Sequence, residues 1–89
     1  MKGKKITSTQ RKLILKHGKG IGVTSDNVDN WMYLTVECVS GNEHLSKNSD
    51  KVEKWSFISR DNSEMLVIVR DIRTHTLISC NRWRCNMIG

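Results

Sequence analysis

Residues 55–59 (WSFIS) and 65–70 (MLVIVR) are β-prone runs joined by Arg60-Asp61-Asn62-Ser63, whose side chains favour turns. So short a link cannot carry a parallel crossover, so the two runs must pair as an antiparallel hairpin. An isolated hairpin is marginal in water, and this one needs further strands or a helix to cover it. Residues 31–39 (WMYLTVECV) alternate, which predicts a strand with Met32, Leu34, Val36 and Cys38 on its more apolar face. Residues 74–80 (THTLISC) predict a fourth strand, paired back as a meander. Residues 40–54 are expected to form a polar loop with helical character near its end, and residues 81–89 an irregular tail.

One helix is legible before the sheet. Thr7-Ser8-Thr9-Gln10 has the spacing of a capping box, in which Thr7 accepts from the Gln10 amide and Gln10 reaches back. The helix should run from about Ser8 to His17, with Gly18 as a left-handed stop. Leu13, Ile14 and His17 fall on one side, while Lys12, Lys16 and Lys19 fall on the other at i, i+4, i+7. About ten residues do not hold a helix in water unaided, so Leu13 and Ile14 must dock on the sheet. The expected fold is therefore α+β: one N-terminal helix on a three- to four-stranded antiparallel sheet. It forms one small domain over residues 1–89, with residues 1–6 as a flexible basic arm.

Composition agrees with the sheet and narrows the class. The chain has no Ala and no Pro, so it lacks both the best helix former and any polyproline segment. The longest apolar run, residues 65–69, is far too short to span a membrane. The basic start is not followed by the apolar segment of a secretory signal, and three cysteines are too few for a disulfide scaffold. Together these point to a reducing cytosol and no membrane partner. Charge is the most lopsided feature: residues 1–20 hold seven cations and no acid, whereas the remainder holds eight cations against nine acids. Such a patch attracts phosphates or acidic surfaces.

Lys4-Lys5-Ile6-Thr7-Ser8-Thr9-Gln10-Arg11-Lys12, an apolar triplet and His17-Gly18, followed by Asn27-Val28-Asp29-Asn30-Trp31, resemble the opening of a family of very short phage and prophage proteins of unknown function. That family usually has Pro where Val28 stands. Its closing hairpin, of the type Glu-Leu-Val-Ile-Val-x-Arg, is similar to Glu64, Leu66, Val67, Ile68, Val69 and Arg70, with Met65 inserted and no residue between Val69 and Arg70. The following turn normally contains Gly, which Arg73-Thr74-His75 lacks. The resemblance has no counterpart to residues 40–60 or to the tail after Ile78. It implies phage origin rather than a mechanism.

Five constellations bear on chemistry. The first is a basic face, Lys4, Lys5, Arg11, Lys12, Lys16 and Lys19, whose cations can each neutralise a phosphate or meet an acidic protein. A solvated basic helix is the plainer alternative, and no helix-turn-helix or RNP sequence is present. The second is Arg82-Trp83-Arg84, an aromatic flanked by cations that suits base stacking or a protein hot spot. Trp31 and Trp55 are expected to fill the core instead. The third is a zinc site from His75, Cys80 and Cys85, with Cys38 or His44 completing it. Against it, a strand over residues 74–80 sends His75 and Cys80 to opposite faces, and Cys38 reads as a small buried apolar residue. The fourth, Gly18-Lys19-Gly20-Ile21-Gly22, follows a helix rather than a strand and is a flexible connector instead of a phosphate loop. Last, no catalytic motif is present and no cofactor is called for.

The expectation is a non-enzymatic, phage-encoded protein that occupies and inhibits a host or defence protein or nucleoprotein, in the manner of an anti-CRISPR or host-takeover protein. The alternative is an accessory or regulatory protein that binds nucleic acid through the same basic face.

Overall fold

The computed structural model describes residues 3–40 and 51–85. Five strands, β1 (Lys4–Lys5), β2 (Trp31–Ser40), β3 (Lys51–Ser59), β4 (Glu64–Asp71) and β5 (Leu77–Arg84), form an antiparallel meander in chain order. The helix α1 (Ser8–Gly18) packs on one face. The α+β class is as expected, but the sheet has five strands rather than three or four. The fifth is β1: Lys4 and Lys5 pair with Tyr33 and Met32, so part of the expected flexible arm is an edge strand. It satisfies backbone groups that the rim of β2 would otherwise leave unpaired. No helix among the described residues is long and apolar enough to cross a membrane.

Two strand boundaries move for local reasons. β3 begins at Lys51, inside the expected polar loop, because residues 51–54 continue the ladder with β2 and β4. The rest of that expected loop, residues 41–50, and the last residues of the expected tail, 86–89, lie outside the described residues. β5 begins three residues later than expected and takes in Asn81 to Arg84, which were expected to be irregular. The cause is Asp71, whose Oδ1 accepts from the amides of Arg73 (2.8 Å) and Thr74 (3.1 Å) and shapes a turn.

A bulge decides which side chains meet the helix. Tyr33 pairs with Phe57, but the next pairing is Thr35 with Ser56, leaving Leu34 as the extra residue. Period-two alternation cannot survive such an insertion. Met32 therefore lies on the far face, whereas Val36 and Cys38 share the helix side with Trp31 and Tyr33. The expected single face of Met32, Leu34, Val36 and Cys38 is split. Cys38 is exposed rather than buried. Successive pairings define rows across the helix side: Lys4, Tyr33, Phe57, Leu66 and Arg82, then Val36, Trp55, Ile68 and Cys80, then Cys38, Glu53, Arg70 and Leu77.

The capping box forms as predicted, with Gln10 N–H donating to Thr7 Oγ1 at 3.1 Å and Thr7 N–H to Gln10 Oε1 at 2.9 Å. Leu13 and Ile14 are buried against Val23, Val28, Trp31, Phe57, Leu66 and Ile68. Gly18 is not the left-handed stop: its φ is −88°, and the left-handed residue is Gly22 at φ 88°. Gly18 is demanded by packing instead, since a Cβ there would stand 2.8 Å from Val23 Cβ. Nor is the glycine-rich segment loose, because Lys19–Ile21 is a 3-10 turn whose Ile21 carbonyl accepts from Arg82 Nη1 at 3.1 Å.

The β3–β4 loop shows why the turn was readable. Asp61 Oδ1 accepts from Ser63 Oγ (2.6 Å), Ser59 Oγ (2.7 Å) and Ser63 N–H (3.0 Å), while Asn62 takes the left-handed conformation at φ 61°. The Ser63 hydroxyl first, then the Ser59 hydroxyl and the Ser63 amide, pull the Asp61 carboxyl from 3.8 to about 2. The folded value lies below the unfolded one, so on acidification the unfolded chain takes up the proton first. This contribution is complete above pH 3.8 and disappears as the pH falls through 2. Asp61→Asn should therefore flatten the acid limb of a thermal-stability profile recorded between these values. Wild-type and variant profiles that run parallel there would contradict it.

Candidate nucleic-acid interface

A groove opens between the flank of helix α1 and the adjoining sheet. The groove encloses about 280 Å3. It is lined on the sheet side by Trp55 and Arg70, on the helix side by Leu13 with Lys12 and Lys16 one turn apart, and also by His75. Thr9 and Gln10 line the start of the helix wall.

Each side chain is there for a traceable reason. Trp55 sits on the central strand two residues before Phe57, and alternation puts both on the helix side. Its ring lies 6.4 Å from that of Phe57 at an interplanar angle of 6°, and 6.1 Å from that of Tyr33. The indole is thus held by an aromatic ladder but remains half-buried, while Trp31 is 3% exposed as expected of a core residue. Trp55 Nε1 is buried and has no hydrogen-bond partner among the described residues. Arg70 pairs across strands with Glu53, Nε to Oε1 at 2.7 Å, and that carboxylate largely neutralises it. His75 has φ 60°, a left-handed position that glycine takes more easily.

Lys12 and Lys16 are exposed and in no ion pair among the described residues, so they supply the groove's uncompensated charge. The same field is felt by His17 beside them. Burial first, then the charges of Lys16 and Arg70, lower its pKa below the ordinary 6.5 and favour the neutral imidazole.

The other candidate contact residues divide. Lys4 stands beside Tyr33 on the helix side of the edge strand, whereas Lys5 belongs to the opposite face with Met32. Lys19 is exposed in the 3-10 turn. Arg11 is tied to Asp29 at 3.3 Å. Arg82 spans Glu64 at 3.0 and 3.3 Å, reaches the Ile21 carbonyl, and lies 5.6 Å over the Trp31 ring, so its guanidinium is engaged within the fold. In a strand, Arg82-Trp83-Arg84 cannot act as one cluster: both arginines point to the helix side and Trp83, 46% exposed, to the far side beside Met65. Arg84 is exposed at the end of β5.

The spacing of His75, Cys80 and Cys85 does not converge either. His75 precedes β5, Cys80 is partly buried on its helix side, and Cys85 follows its end. Five extended residues separate the two sulfurs by about 16 Å, several times the span of a zinc site. Among the described residues no three His, Cys, Asp or Glu side chains gather as metal ligands. Burial pushes the Cys80 thiol pKa up, which suits packing rather than ligation.

A second recess, of about 190 Å3, lies near Trp31, Ser59, Asp61, Glu64 and Arg82. Asp61 is held by the loop serines, Glu64 and Arg82 pair with each other, and Arg60 Nε donates to the Asp29 carbonyl, so the recess offers little to a ligand. Comparison with protein families, characterised proteins and solved structures finds no match to this chain.

Sequence reasoning found Lys12 and Lys16 but placed Trp55 in the core and offered His75 to a metal. The usable signal was the pairing of Glu53 with Arg70 and of Trp55 with Ile68, which needs the strand register.

Proposed function

We propose that this chain is a non-enzymatic nucleic-acid-binding protein whose contact surface is the basic flank of α1 and the adjoining groove. The observation that carries this reading is two lysines one helical turn apart, in no ion pair among the described residues, beside a half-buried tryptophan on a rigid sheet. Cations that track a backbone and an aromatic that accepts a base are the two parts single-strand and mixed nucleic-acid binders combine. No part of the reading needs a cofactor.

Reversing both lysines, K12E/K16E, should leave folding nearly intact because exposed, unpaired charges contribute little to stability. Binding of a labelled oligonucleotide should weaken by more than about tenfold, and the slope of log K against log salt should shrink by roughly 1.4–1.8 for two lost phosphate contacts. Equal affinity and equal slope for the two proteins would overturn the reading.

A second reading is an inhibitor that occupies a host or defence protein, the role suggested by the phage-family resemblance. It is favoured by one observation: Trp83 presents a large apolar surface on the face of the sheet away from the groove. A partner whose affinity falls in Trp83→Ala but not in K12E/K16E, and changes little with salt, would move the conclusion there.

A further inference from the structure

We infer that the groove between α1 and the sheet is a seat for one unpaired base, so that the protein selects single-stranded over duplex nucleic acid. The inference rests on the nucleic-acid reading above and goes further in naming the form of the ligand. At about 280 Å3 the groove is at the small end of ligand sites, sized for a ring system with its sugar rather than for an extended chain. Its walls are divided by chemistry, with Leu13 and Trp55 offering apolar and aromatic surface and Lys12 and Lys16 standing at the rim where flanking phosphates would run. A paired base cannot enter such a recess, because its faces are covered by neighbouring bases and its extrusion costs a few kcal/mol.

Two further details point the same way. The Trp55 ring, which lines the groove, is already immobilised by Phe57 and Tyr33. A rigid stacking platform loses little entropy when a base settles on it. His75 holds a left-handed backbone in a turn where glycine fits without strain, and it lines the groove. Strain of this kind persists where the side chain has a use that glycine cannot serve. A second planar ring lining the same groove as the tryptophan is such a use.

The test compares a labelled 20-mer of thymidylate with a duplex of the same length by fluorescence anisotropy at two salt concentrations. The single strand should bind at least about tenfold tighter, and Trp55→Leu should remove about that factor from it while leaving the duplex unchanged. His75→Gly should also weaken the single strand without lowering thermal stability. Because Trp55→Leu touches the margin of the core, a measurement on the unaltered protein accompanies it: photocrosslinking to the same strand carrying 5-iododeoxyuridine, followed by trypsin. The adduct should fall on the peptide of residues 55–60, which contains Trp55 and neither other tryptophan. Equal affinity for strand and duplex, or an adduct on Trp83 instead, would overturn the base seat while K12E/K16E sensitivity preserves nucleic-acid binding. Failure of both ligands to bind at low salt would overturn both.

Discussion

Phe57→Ala should lower the free energy of unfolding by about 3–5 kcal/mol, the range for deleting a buried aromatic. Phe57 is fully buried on the central strand, with Tyr33 and Leu66 beside it and Leu13 and Ile14 in the same core. Neighbours on both sides are fixed by ladder hydrogen bonds, so the sheet cannot collapse into the space left behind. A chain of this size has a total stability of about 4–13 kcal/mol, so one substitution removes a large part of it. Urea denaturation followed by tryptophan fluorescence should show a lower midpoint with an unchanged slope. Val36→Ala, on the same side of the sheet but 36% exposed, provides the contrast and should cost under about 1 kcal/mol. Similar losses for the two would contradict a core centred beneath the helix.

Arg70→Met should cost about 3 kcal/mol, at the lower end for breaking a buried ion pair. Arg70 and Glu53 face each other across β3 and β4, 2.7 Å apart, with side chains only 16% and 12% exposed. Removing the guanidinium leaves a largely desolvated carboxylate without its charge-assisted hydrogen bond, and methionine fills the space but accepts no charge. The double variant Arg70→Met/Glu53→Leu should recover most of the loss, because the expense lies in the orphaned carboxylate more than in the missing pair. Equal stability of the single and double variants would refute that partition. The same pair matters to the groove: with Arg70 occupied by Glu53, ligand attraction falls to Lys12 and Lys16.

The elements that were legible in the sequence are those built from local interactions. Thr7 and Gln10 cap the helix through residues three apart, Ser59, Asp61 and Ser63 shape their turn with their own side chains, and the β-branched content of residues 65–70 leaves little but a strand. Lys12 and Lys16 had to share a flank of any helix that buries Leu13 and Ile14. What the sequence could not determine depends on residues far apart in the chain. A one-residue bulge at Leu34 reverses the facing of Val36 and Cys38 relative to Met32, and only the ladder with β3 reveals it. β1 exists because β2 has a rim to fill, and Gly18 is small because Val23 folds back onto it. Arg82 and Trp83, adjacent in sequence, are sent to opposite faces once β5 extends to Arg84. The groove is the strongest case, since Lys12, Trp55, Arg70 and His75 come from four separate segments and meet only through strand register and the packing of α1 on the sheet. Local propensity acts within a few residues, whereas register and packing are settled by burial over the whole molecule.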